Sequence, residues 1–127
     1  MPRQAGRTPT DGELQILRVL WSRGPCTVRQ VHEALADRDT GYTTTLKLMQ
    51  IMAAKGLVDR DESRRTHVYA ARLRQRQTQR RLVGELLERL FAGSTQKLVL
   101  QALKAKRLSR KELAEIRKVL DELEGKE

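Results

Sequence analysis

A chain of 127 residues has room for one domain, or for one small domain with an assembly arm. Only 3% of it is aromatic while 33% is charged, and Lys plus Arg outnumber Asp plus Glu by 26 to 16, so a modest aliphatic core and a polyanionic partner (nucleic acid or an acidic membrane surface) are expected. No apolar run approaches the ~20 residues a bilayer requires, no apolar stretch follows Arg3 and Arg7 to make a signal peptide, and the lone Cys26 excludes an intramolecular disulfide, which together lead us to expect a soluble cytoplasmic protein without membrane insertion.

Three helix starts share one device. Thr10, Thr27 and Ser109 each stand three residues before Glu13, Gln30 and Glu112, the spacing at which a hydroxyl and an amide or carboxylate cap the first turn reciprocally. The first helix is expected over about Asp11 to Ser22, burying Leu14, Leu17, Val19, Leu20 and Trp21, and ending at Arg23-Gly24-Pro25. A second, about Val28 to Ala36, buries Val31 and Leu35. A polar connection, Asp37 to Gly41, leads to a third helix from Tyr42 to Lys55, stopped by Gly56. The period then changes. Leu57 to Arg60 and Thr66 to Ala70 are β-prone runs around the charged turn Asp61 to Arg65, which predicts a hairpin. Three short helices followed by a hairpin make a winged helix.

The second half returns to helical spacing. Leu82, Val83, Leu86, Leu87, Leu90 and Phe91 form one stripe closed by Gly93; Ser94 opens a short helix with Leu98, Val99, Ala102 and Leu103. The last helix carries Leu113, Ile116, Leu120 and Leu123, a seam with Val119 beside it. The fold class is therefore mainly α with a small β-hairpin: a winged helix-turn-helix domain at 8–71, then a helical dimerisation domain at 72–127. A segment of about 55 residues with short apolar stripes seldom stabilises itself through its own core. Leu86, Leu90, Leu113, Ile116, Leu120 and Leu123 are accordingly expected at a homodimer interface.

At ~100° per residue, Thr45, Met49, Met52 and Gly56 of the third helix face the core, whereas Thr43, Thr44, Lys47, Gln50, Ile51 and Ala54 face the other way. From Thr43 to Lys55 there is no carboxylate. Hydroxyls near the helix start suit phosphate oxygens, Lys47 and Gln50 can reach base edges, and Ile51 can meet a thymine methyl. At the hairpin tip Arg64, Arg65 and His67 add backbone contacts, with Asp61 and Glu62 subtracting. Arg72, Arg74, Arg76, Arg80 and Arg81 follow, read either as a backbone-tracking tract or as the wet side of a helix. His32 and His67 lack partners at metal spacing; no metal site, cofactor or catalytic residue is expected. Cys26 is expected to be a small semi-buried residue.

The run Thr10 to Trp21, then Gly41-Tyr42-Thr43-Thr44-Thr45-Leu46-Lys47 on to Lys55-Gly56-Leu57-Val58, then Arg64-Arg65-Thr66-His67-Val68-Tyr69, resembles the penicillinase-repressor family (the BlaI/MecI type). The resemblance extends from about Thr8 to Leu123 and includes Lys97-Leu98-Val99-Leu100. It implies a homodimer that represses genes through two-fold symmetric double-stranded operator DNA, with a membrane-bound zinc metallopeptidase sensor as the agent that cuts the C-terminal half. It implies recognition by Thr43, Thr44, Lys47 and Gln50, and a wing contact through Arg64, Arg65 and His67. The best-known members are cut at an Asn-Phe bond just after Leu-Val-Leu; here Gln101-Ala102 stands there, so the same protease specificity does not carry over. The cysteine cluster of copper-responsive relatives is missing. Two other readings fit the composition: a winged-helix protein-interaction module, against which the acid-free helix face argues, and a ligand-responsive regulator, for which so few aromatics leave little pocket.

Overall fold

The computed structural model describes residues 8–35 and 40–125. In chain order these form α1 (Asp11–Arg23), β1 (Cys26–Thr27), α2 (Val28–Ala34), α3 (Tyr42–Lys55), β2 (Val58–Asp61), β3 (Val68–Ala71), α4 (Gln75–Phe91), α5 (Thr95–Ala105) and α6 (Arg110–Leu123). Six helices and a small antiparallel sheet among the described residues agree with the winged helix and helical C-terminal half expected from the sequence. By internal packing the chain falls into two compact units, residues 1–82 and 83–127.

The three capping boxes form as their spacing dictates. Thr10, Thr27 and Ser109 each accept from the backbone N–H three residues on, and Glu13, Gln30 and Glu112 each accept from the N–H of the capping residue. In α1 the buried face is Glu13, Ile16, Leu17 and Leu20, with Leu14, Val19 and Trp21 half-buried against it. Ile16 was not among the residues expected to be buried. The expected end of α2, Ala36, and the start of the polar connection at 37–39 lie outside the described residues. As described, α2 stops at Ala34 and Leu35 turns to extended backbone while staying buried. Gly56 closes α3 in the left-handed conformation, φ 81°, and the N–H of Leu57 reaches back to the Met52 carbonyl at 2.9 Å.

The hairpin is real but has a third strand. β1 pairs with β3 through Cys26–Tyr69 and Thr27–Val68, and β2 pairs with β3 from Val58–Ala71 to Asp61–Val68. The order β1-β3-β2 puts β3 at the centre, so the wing is anchored beside the first residues of α2. The strands sit one or two residues later than the sequence suggested, and the turn lengthens to residues 62–67. Tyr69 on β3 is fully buried and shares one core with Ile16, Leu17, Leu20, Val28, Val31, Met49, Met52, Leu57 and Val58.

Two long-range polar contacts tighten this unit. The Trp21 indole N–H donates to the Leu73 carbonyl at 2.8 Å, fixing the chain where it leaves the wing. Lys55, at the end of α3, reaches the Glu13 carboxylate in the first turn of α1. Glu13 is 1% exposed. Burial raises its pKa, but hydrogen bonds from Lys55 and from the Thr10 N–H outweigh that, and the carboxyl lies below its ordinary 4.5. Nearby, Gly12 lets α1 approach α3: a Cβ there would lie 3.2 Å from Leu48 Cδ2.

The second unit contrasts with the first. Neither α5 nor α6 has a buried residue. Apart from Pro9, the buried apolar side chains of the described residues fall between Ile16 and Tyr69. Between α4 and α5 the chain reverses through Ala92 and Gly93, both at positive φ (50° and 83°), with the Gly93 N–H bonded to the Leu87 carbonyl at 2.9 Å.

Because the folded pKa of Glu13 is depressed, its contribution is present above about pH 4.5 and is lost as the pH falls through the lower folded value. Glu13→Gln should cost about 2 kcal/mol in urea denaturation at pH 7. The gap from the parent protein should narrow below pH 4.5; a gap independent of pH would show that the carboxylate charge does not contribute.

Candidate nucleic-acid interface

α3 has two faces, and the first unit uses one of them. Thr45, Met49 and Met52 are buried, while Leu46, Leu48 and Ala53 are half-buried. This docks the helix across α1, α2 and β2 and leaves Thr43, Thr44, Lys47, Gln50, Ile51 and Ala54 exposed on the other side. Every one of those six residues is where helical periodicity placed it. Ile51, 45% exposed, is a large apolar group held out in solvent on a helix whose inner face is already filled. Lys47 carries no ion pair among the described residues, whereas the other α3 lysine, Lys55, is taken by Glu13.

The wing presents Arg64, Arg65 and His67, all exposed. The acids around them have partners of their own. Asp61 accepts the Ser63 N–H at 2.9 Å, and that bond is the main reason its carboxyl lies below the usual range. Glu62 pairs with Arg60 and Asp59 with Arg72. Arg60 is held above its usual range first by its hydrogen bond to the Tyr69 hydroxyl and then by Glu62. Glu62 and Asp59 are thus engaged by Arg60 and Arg72, Asp61 still acts through space on Arg64 and His67, and Arg64 and Arg65 carry no ion pair among the described residues.

Two grooves flank the exposed ridge of α3. One, about 480 Å³, runs between α3 and the wing, with Thr27, Arg29, Tyr42, Gln50, Arg65 and His67 on its walls. The other, about 360 Å³, lies toward β2, with Gln50, Ala54, Arg60 and Arg72 among its lining. Gln50 borders both. The groove toward the wing has only cations among its charged walls, whereas Asp59 and Glu62 share the other with the arginines they pair with; a hydrogen-bonding amide on the ridge suits a base edge, with a phosphate on the wing side.

Sequence reasoning missed Arg29 and Tyr42. Arg29 stood inside a capping motif and Tyr42 one residue ahead of the helix face under consideration. The Arg29 guanidinium carbon lies 5.0 Å from the Tyr42 ring centroid, a cation–π contact of about 0.5–1 kcal/mol at a half-exposed site. His32 also meets Tyr42, its ring 5.9 Å away and nearly perpendicular, at 84°. His32 Nδ1 and the hydroxyl of buried Thr45 are 2.9 Å apart. Since Gly41 provides no side-chain cap for α3, these contacts are what tie its first turn to α2. Only the alternation of exposed and buried positions in α2 hinted at them; nothing local pairs residue 29 with residue 42.

In the second unit, Leu86, Leu90, Leu120 and Leu123 of the expected interface are exposed, Leu90 by 69% and Leu123 by 80%, while Leu113 and Ile116 are half-buried. Val83, Val99, Leu100 and Val119 are exposed as well. Gln101 and Ala102 are exposed within α5. No described helix is long and apolar enough to cross a membrane.

The sequence profile described as "Penicillinase repressor" matches residues 9–122. A stretch of 62 residues is 50% identical to the transcriptional regulator BlaI of Mycobacterium tuberculosis, in strains CDC 1551 / Oshkosh and H37Rv, over 47% of this chain and 45% of each regulator. The chain thus aligns with about half the length of those relatives. Over 114 residues, 89% of both chains, it is 24% identical to the penicillinase repressor of Bacillus licheniformis.

Thr45→Val should cost about 1 kcal/mol by removing the His32 contact. Lys47→Ala should stay within about 0.5 kcal/mol of the parent protein, because the side chain touches no core. Chemical denaturation of the two variants checks both; a destabilisation of Lys47→Ala as large as that of Thr45→Val would mean that the outer face of α3 is structural.

Proposed function

This chain belongs to the penicillinase repressor family, whose profile covers residues 9–122, and on that premise we propose that it is a homodimeric repressor that reads a two-fold symmetric DNA operator. A repressor of this family is not an enzyme. The observation that carries the DNA reading is the outer face of α3, where Thr43, Thr44, Lys47, Gln50 and Ile51 are exposed together on a helix without a carboxylate. Gln50 and Lys47 take base edges, Ile51 a thymine methyl, and the hydroxyls of Thr43 and Thr44 the phosphates. Arg64, Arg65 and His67 of the wing neutralise the adjoining backbone.

The functional division we propose is a DNA-binding domain at 8–71 and a dimerisation domain at 72–127. Exposed Leu86, Leu90, Leu120 and Leu123 support the second part, because apolar stripes of this size are unstable in water without a cover. A second copy covers them and brings two α3 helices to successive turns of DNA, ~34 Å apart. Release follows cutting or loosening of the arm, with Gln101 and Ala102 as the exposed candidates and a membrane-bound metallopeptidase as the proposed agent. We place the protein in the cytoplasm, where its operator would be.

Fluorescence anisotropy with DNA from upstream of the protein's own gene, and with a scrambled duplex, tests this reading. The upstream fragment should bind more tightly, and Lys47→Ala or Gln50→Ala should each erode that preference by about 1–3 kcal/mol. Truncation after Leu100 should leave a folded first unit whose affinity is lower by about 10²–10⁴-fold, the loss of two-headed binding. Equal affinity for both duplexes would overturn sequence-specific repression; undiminished affinity after truncation would overturn the role of the arm.

A further inference from the structure

Beside the exposed ridge of α3, the groove toward the wing has cations on both walls. Arg65 and His67 stand on the wing side and Arg29 on the α2 side, with Tyr42 and Gln50 between. We propose that this groove seats one phosphodiester strand of the DNA and that Arg29 is its phosphate contact opposite the wing, with Tyr42 as the positioning residue for Arg29. The inference rests on the DNA-binding reading above and adds a site to it.

The Arg29 guanidinium lies over the Tyr42 ring, 5.0 Å from its centroid, and His32 abuts the same ring edge-on. His32 is in turn tied to Thr45, which is buried in the core. A long cationic side chain is thereby restrained through an aromatic platform to the rigid part of the unit. An arginine held this way loses less conformational freedom on meeting an anion than one waving free. No acid takes the place of the phosphate: the ion pairs among the described residues engage Lys55, Arg60 and Arg72, not Arg29 or Arg65. Two backbone amides at the start of α2, those of Thr27 and Gln30, are already bonded within the capping box. A sugar-phosphate run seated in this groove of about 480 Å³ would leave the exposed face of α3 to the adjacent base edges.

The test is a double-mutant cycle on the full chain, read by anisotropy with a scrambled duplex across a salt series, because a phosphate contact is indifferent to sequence. Arg29→Gln should lower affinity about 5–30-fold and reduce the slope of log affinity against log salt by about 1. Tyr42→Leu should weaken binding in the parent background and have no further effect in Arg29→Gln. Tyr42→Phe, which keeps the ring, should bind as the parent does. Thermal midpoints of the Tyr42 variants separate lost positioning from lost fold, and Arg29→Gln needs no such correction because its side chain is exposed. An unchanged slope for Arg29→Gln, or equal losses from Tyr42→Leu in both backgrounds, would overturn the proposal. Arg64→Gln and Arg65→Gln serve as controls. If they weaken binding while Arg29→Gln does not, only this inference falls; if none of the three weakens it, the DNA-binding reading falls as well.

Discussion

The apolar core of this molecule ends at Tyr69, and most of what the structure implies follows from that limit. With so few aromatics, the chain fills one interior with aliphatic and sulfur side chains from α1, α2, α3 and the sheet. The helices beyond it have apolar stripes of their own but bury none of them in α5 and α6. A stripe such as Leu113, Ile116, Leu120 and Leu123 lowers its free energy only by removing apolar surface from water, at about 25 cal/mol per Å². The second unit taken by itself offers its side chains no interior in which to do so. Association is therefore a condition of that unit's stability in the proposed account and not an addition to a finished fold.

The same scarcity shapes the first unit. Because the interior is small, α3 docks one face on it through Thr45, Met49 and Met52 and leaves the other uncovered within this unit. Its outer side is freed to carry Lys47, Gln50 and Ile51 in solvent. Docking of α3 is reinforced at its two ends by different chemistry: Lys55 with buried Glu13 at the C-terminal end, and Tyr42 with His32 and Arg29 at the N-terminal end. A helix fixed at both ends and along its inner face presents its outer side chains from a rigid frame, which is what reading base edges at a fixed register demands.

Much of this was legible in the residue order because it is local. Capping boxes are written within four residues, and all three formed where Thr10, Thr27 and Ser109 announce them. The two faces of α3 follow from a period of 3.6, and the stop at Gly56 follows from its freedom at positive φ. What the sequence could not disclose is non-local. β1 is two residues long and becomes a strand only because β3 lies beside it. Glu13 reads as a surface capping residue until Lys55, 42 positions away, is brought to it. Arg29 and Tyr42 likewise have no common motif. Ile16 lies one turn from Leu20 on the same face of α1 and is buried with it, beyond the set that the sequence singles out.

The account stands most directly on the proposed self-association, which sedimentation equilibrium of the full chain, without DNA, measures. At micromolar concentration the mass should be twice the 14.6 kDa of one chain, and Leu120→Asp, on the exposed seam of α6, should return it toward one. A folded protein that sediments as a monomer, with Leu120→Asp indistinguishable from it, would contradict the claim that a second copy completes the C-terminal unit.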